Sequence, residues 1–158
     1  MMIPFKTVLE KYYINPSGVF HVGANTGQEA GGYYENGIER SIWIEAIPKV
    51  YAQLIVNISG CKNAIAFNEC ISDTDGQIVE FNVTDNNGES SSIFELGTHK
   101  EHYPQVGIAE IIKLKTKKLD TLILENKIDI RDYDFLVMDL QGAELLALIL
   151  QCKNLQKA

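Results

Sequence analysis

The sequence predicts an α/β fold in three layers, with a mostly parallel sheet held between two sets of helices. Three observations predict it. Short apolar runs alternate with stretches of helical periodicity through the first half of the chain, the pattern of a parallel sheet wrapped by helices. The run "VFHV" opens directly into the turn G-A-N-T-G, so a buried strand leads through glycines towards a helix. A second strongly apolar run, "FLVM", returns near the end and is again followed by glycine and a helical pattern.

The elements follow in order. "IPFKTVLEKYYI" places Ile3, Phe5, Val8, Leu9, Tyr12 and Tyr13 near one helical face, with Pro4 suited to the first turn. "NPSG" breaks that helix, and a strand covers Val19 to Val22. After the glycine turn a helix is expected over about Gly27 to Glu35, stopped by Asn36-Gly37. "RSIWIEA", Arg40 to Ala46, reads as the second strand, and "PKVYAQLIVNI" as a helix with Pro48 in its first turn and Val50, Leu54 and Ile58 as its stripe. "NAIAFNECIS" reads as a third strand.

The pattern then changes. Gln77 to Val83 and Ala109 to Thr116 alternate as strands, separated by a long polar loop that contains His99, His102 and the serine run Ser90-Ser91-Ser92. Loops of that length are usually functional or disordered. The run can hydrogen-bond a polyhydroxylated ligand or simply form a flexible polar turn. "LDTLILENKI" is helical, "YDFLVMDL" is a strand, and "AELLALILQCKNL" is a last helix. There is no internal repeat, and one domain is expected over residues 1–158: a helix in 1–17, a core half in 18–76, inserted strands and loop in 77–116, and helix, strand, helix in 117–158.

Composition narrows the function. A net charge of −7 gives no basic stripe for phosphates and argues against a nucleic-acid partner. The one basic run, Lys113 to Lys118, alternates Lys with Leu and Thr, as a solvated strand face does. Three cysteines without close spacing fit neither a disulfide framework nor a zinc site, which suggests a reducing compartment. No leader pattern and no long apolar span is visible, so a soluble, cytoplasmic protein without a membrane partner is expected.

The glycine turn is followed, about twenty residues on, by Glu45 at the end of the second strand, where an acid can accept from ribose hydroxyls. A third polar strand end, "SDTDG" at Ser72 to Gly76, completes the outline of a nucleoside site. The spacing Gly23-Ala24-Asn25-Thr26-Gly27 differs from the dinucleotide fingerprint, and Asn25 would crowd a pyrophosphate. It suits a small zwitterionic tail such as the methionine part of S-adenosylmethionine, with the turn amides and Asn25 bonding its carboxylate and amino group.

The blocks "FHVGANTGQE", "IWIEAIP", "NECISDTDG", "NNGESSSIF", "KKLDTLI" and "FLVMDLQGAEL" occur in the order and spacing of the FkbM-type methyltransferases. From about Gly18 to Leu148 the chain resembles that family. The resemblance implies a Rossmann-like, class I fold and S-adenosylmethionine-dependent methylation of a hydroxyl on a saccharide or natural product. Position by position, it puts Gly23, Ala24, Asn25 and Gly27 at the methionine moiety, Glu45 at the ribose, and Ser72 and Asp73 at the adenine. It faces Asp139 towards methyl donor and acceptor, with Gln141, Gly142 and Glu144 as the floor.

Asp139 is the first candidate base, Glu144 stands beside it, and His99 and His102 are alternatives. Asp139 and Glu144 could instead hold Mg²⁺, which needs a third oxygen ligand that the sequence does not identify. His21, where many relatives carry an acid, reads as a strand residue. The family's pattern continues with further strands after "QGAEL", and these help to build the acceptor side. A truncated fold would leave Asp134 to Leu140 as an unpaired edge open to self-association. Two other readings stay open: a non-catalytic cofactor-binding or interaction domain, and, against the glycine spacing, a nicotinamide-dependent oxidoreductase.

Overall fold

The computed structural model describes residues 3–86, 88, 90–94 and 107–148. Four parallel strands form the main sheet: β1 (Gly18–Val22), β2 (Arg40–Glu45), β3 (Ala64–Asn68) and β7 (Phe135–Met138), in the order β3-β2-β1-β7. β1 pairs with β2 from Gly18 opposite Arg40 to Val22 opposite Ile44, and with β7 from Val19 opposite Phe135 to Val22 opposite Met138. The chain therefore winds outwards from β1 in one direction and returns on its other side. The reversal lies between β1 and β7, and crevices at the carboxyl ends of strands open at such points.

All five residues of β1 are buried, and so are Ser41 to Glu45 of β2, because both faces are covered. On one face Val19 and Trp43 pack with Ala30 and Tyr33 of α2 (Ala30–Glu35) and Leu54 of α3 (Pro48–Asn57). On the other, Phe20, Val22, Ile42 and Ile44 pack with Leu119 and Leu122 of α4 (Leu119–Glu125) and Ala147 of α5 (Glu144–Leu148). This is the three-layer, Rossmann-like α/β architecture that the alternating pattern predicts.

Three expectations need correction. Helix α1 (Phe5–Tyr12) buries no residue completely, and Ile3, Tyr12 and Tyr13 are exposed; Phe5 makes its inward contact, edge-on to Tyr33 and Phe135. α2 starts at Ala30 rather than Gly27, because Asn25 (φ 46°) and Gly27 (φ 77°) are left-handed and cannot sit in a right-handed helix. The third strand is two strands. β3 ends at Asn68, and Cys70–Ile71 (β4) joins a second sheet beside the long strand β6 (Ile108–Lys117), itself antiparallel to β5 (Ile78–Thr84).

Lys113 and Lys115 are exposed on β6, as the alternating basic run predicts. Lys117 instead bridges Glu69 at 2.7 Å and Glu125 at 2.9 Å, tying the end of the main sheet to α4. Asp85 and Gly107 close the foot of the long loop through two hydrogen bonds, at 3.0 and 3.1 Å. His99, His102 and the rest of the last helix lie outside the described residues. Among those described, no helix is long and apolar enough to cross a membrane.

Candidate functional site

A cavity of about 640 Å³ opens at the carboxyl ends of β1, β2 and β7. The segment joining β3 to β4 forms one wall, and Asn86, Gly88, Ser90, Ser91 and Ile93 of the long loop form another.

Its floor is the glycine turn. Gly23 has φ 81°, and a Cβ there would stand 1.9 Å from the carbonyl oxygen of Asp139. Only glycine allows the ends of β1 and β7 to approach so closely. Gly27 serves packing: a Cβ would meet Leu54 at 2.7 Å, and the residue does not line the cavity. Gly23, Ala24 and Asn25 do line it. The turn amides, however, are already engaged. Gly23 and Ala24 N–H both donate to Ile44 O at 2.9 Å, Asn25 N–H to Glu45 Oε2 at 2.9 Å, Thr26 N–H to Asn25 Oδ1 at 2.6 Å, and Gly27 N–H to Ala24 O at 2.9 Å. The expectation that these amides hold a ligand's carboxylate is corrected here, since each already has an acceptor within the protein.

Glu45 is buried at the end of β2 and lines the cavity. Its two oxygens accept from Asn25 N–H and Ile47 N–H, so it braces the turn against the start of α3. Burial pushes its pKa up, while those amides pull the other way. A carboxylate keeps further lone pairs beyond two such bonds and can still accept from a hydroxyl.

Asp139 lies just past β7, on the exposed side of the cavity lining; desolvation raises its pKa, the hydrogen bond from Gln141 opposes this, and the nearby charge of Glu144 raises it further. Its Oδ1 accepts from Gln141 Nε2 at 2.5 Å. Glu144 itself is not in the lining. It accepts from Leu140 N–H at 2.8 Å and Gly142 N–H at 3.0 Å, capping the turn that presents Asp139. Its expected place beside the chemistry gives way to that capping role, and among the described residues no cluster of His, Cys, Asp and Glu could hold a metal ion.

Ser72 and Asp73 also fall outside the cavity. Ser72 N–H donates to Lys117 O at 3.0 Å, and Asp73 accepts from Thr74 Oγ1 at 3.1 Å within the turn leading to β5. Because β3 ends at Asn68, the wall where they were expected is built by Glu69, Cys70 and Ile71. The serine run is no flexible turn: Ser90, Ser91 and Ser92 are buried. Ser91 Oγ accepts from Thr84 N–H at 3.0 Å, Ser90 Oγ accepts from Asn86 Nδ2 at 3.0 Å, and Ser92 Oγ donates to Gln141 O at 3.1 Å. The loop is thereby fastened to the segment that carries Asp139.

The site also contains residues for which the sequence offered no separate signal. His21 is buried, stacks on Trp43 and lines the cavity. Burial drives its pKa down to about 4, so the imidazole is neutral at pH 7. Glu29, just before α2, lines the cavity as well; desolvation raises its pKa, and Asp139 raises it further. Glu29, Glu45, Glu69 and Asp139 thus surround one space, and among the described residues no Lys or Arg stands in its lining.

A Rossmann-like sheet with a glycine turn after β1, an acid closing β2 and an acid after β7 is an arrangement that a methyltransferase-type α/β domain uses. Residues 21–157 match the family model of the methyltransferase FkbM domain, and the chain belongs to that family. No curated protein matches the chain, and no solved structure does.

Proposed function

We propose that the protein is an S-adenosylmethionine-dependent methyltransferase acting on a hydroxyl, with a saccharide as the acceptor class. One observation carries the cofactor: among the described residues the cavity is walled by four acids without a cationic side chain, and the amides of the glycine turn are all engaged within the protein. A pyrophosphate would meet uncompensated negative charge there, which argues against a nicotinamide dinucleotide. A nucleoside carrying a sulfonium and an ammonium is favoured by the same field.

The bound cofactor supplies an electrophilic methyl group. The acceptor oxygen would form the new C–O bond as the C–S bond broke, with that electron pair left on sulfur. The protein's part is alignment and removal of the hydroxyl proton. Asp139, with a raised pKa and its Oδ1 steered by Gln141, is the group to take that proton. Ser90, Ser91 and Asn86, which line the cavity, are the wall assigned to the acceptor.

Calorimetric titration with S-adenosylmethionine, S-adenosylhomocysteine and NAD tests the reading. Glu45→Ala should weaken nucleoside binding by roughly 1–3 kcal/mol, the range for hydrogen bonds to a charged group. Binding of NAD with none of S-adenosylhomocysteine would overturn it.

A further inference from the structure

His21 is only 3% exposed, and its Nδ1 lies 3.0 Å from the hydroxyl of Tyr33. Tyr33 is equally enclosed, at 3% exposure, with Phe5 edge-on to its ring at 4.7 Å. A phenol O–H buried without an acceptor is costly, and among the described residues the imidazole is the partner this hydroxyl has. The O–H therefore donates and Nδ1 accepts. A neutral ring whose Nδ1 accepts carries its proton on Nε2. That Nε2–H has no partner among the described residues, and His21 lines the cavity.

Two further facts say what such a donor meets. The turn amides are consumed within the protein, so an anionic group in this corner must find its donor elsewhere. Glu29 lines the same cavity, and outside its own backbone its carboxylate has no hydrogen-bond or ion-pair partner among the described residues. A buried donor on His21 and an acceptor on Glu29, both in the lining of one cavity, complement a zwitterion.

We propose that Tyr33 fixes His21 as the Nε2–H tautomer, that this neutral imidazole donates to the carboxylate of the ligand's amino-acid tail, and that Glu29 accepts from the tail's ammonium. The inference rests on the cofactor proposed above and names which residues read its tail. Tyr33 does not line the cavity and acts through His21; it is a positioning residue.

Two ligands separate the tail from the nucleoside: S-adenosylhomocysteine, and 5′-methylthioadenosine, which lacks the amino-acid portion. Calorimetry on the wild type, Tyr33→Phe and Glu29→Gln gives the comparison. Glu29→Gln is expected to weaken S-adenosylhomocysteine by about tenfold or more, as loss of a charged hydrogen bond does, and to leave 5′-methylthioadenosine unchanged. Tyr33→Phe keeps the ring against Phe5 and Trp43, and should weaken the first ligand alone. Nitrogen-15 spectra of labelled histidine should show the Nε2–H form of His21 in the wild type and a tautomer mixture in Tyr33→Phe. Equal losses for both ligands, unchanged affinities, or an Nδ1–H signal in the wild type would each overturn the inference while leaving the cofactor in place. A wild type that binds neither ligand removes the proposed cofactor, and this assignment with it.

Discussion

Acidification should destabilise this protein through His21, and the size of that contribution follows from its burial. The pKa of the ring drops from 6.5 to about 4 because the charged form has lost its water. The unfolded chain then takes up a proton before the folded one does. The stability supplied by the neutral ring is complete above about 6.5 and is lost as the pH falls towards 4. At 1.36 kcal/mol per unit the loss is about 2 kcal/mol at pH 5 and about 3 kcal/mol below pH 4.

Glu29, Glu45 and Asp139 act in the opposite sense: their raised pKa values give stability that is complete at low pH and is lost as the pH rises. They are common to the wild type and a His21→Asn variant, so subtracting one profile from the other isolates the ring. Urea unfolding in half-unit steps from pH 7.5 to 4.5, on both proteins, measures the difference. The wild type should lose stability more steeply than the variant below pH 6.5. Parallel profiles would refute the argument, since a ring that ionises equally in both states cannot be held neutral by burial.

The other expectations are briefer. Gly23→Ala should cost more than about 3 kcal/mol in urea unfolding, because its Cβ meets backbone at 1.9 Å; Gly37→Ala, at the same φ of 81° but with nothing within 4 Å, should cost about 1 kcal/mol. Equal costs would mean that the Asp139 carbonyl yields freely. Asp139→Asn should leave a folded protein with nucleoside affinity mostly kept and turnover reduced by about a hundredfold or more, the usual contribution of a general base. Unaltered turnover would exclude Asp139 as the base. β7 pairs with β1 alone among the described strands, so self-association through Asp134 to Leu140 should appear as a rising sedimentation coefficient with concentration. A constant monomer value would count against that edge.

The centre of the sheet was legible because β1 and β2 are buried on both faces, and their apolar runs declare this directly. The glycine turn, Glu45 and Asp139 were legible because they sit at the ends of those runs. Ser72 and Asp73 were misplaced for a local reason. "NECIS" continues the β pattern across Glu69, and no periodicity reveals that Cys70 and Ile71 have changed sheets. Glu144 misled because an acid after a glycine turn looks the same whether it caps backbone amides or faces a ligand. Glu29 and His21 were missed as ligand-facing groups for different reasons. The left-handed turn at Gly27 aims Glu29 at the cavity, and His21 depends on a contact twelve residues away on α2.

The contact between Gly23 and the Asp139 carbonyl has a consequence for how such a site can diverge. Backbone is pressed against backbone there, and Asp139 N–H donates to Val22 O at 2.9 Å, so the turn, Glu45 and the acid after β7 move as one stiff jaw. The facing jaw, which includes Asn86, Gly88 and Ser90 to Ile93, is held to β5 by the backbone bridge between Asn82 and Ser92 and by serine and threonine hydroxyls, and Ser92 Oγ reaches the Asp139 segment at Gln141 O. Mutations can therefore accumulate on that jaw without loosening the grip beneath it. Change in that wall is mechanically cheap for this protein, whereas change beneath the glycine turn would require the strand ends themselves to part.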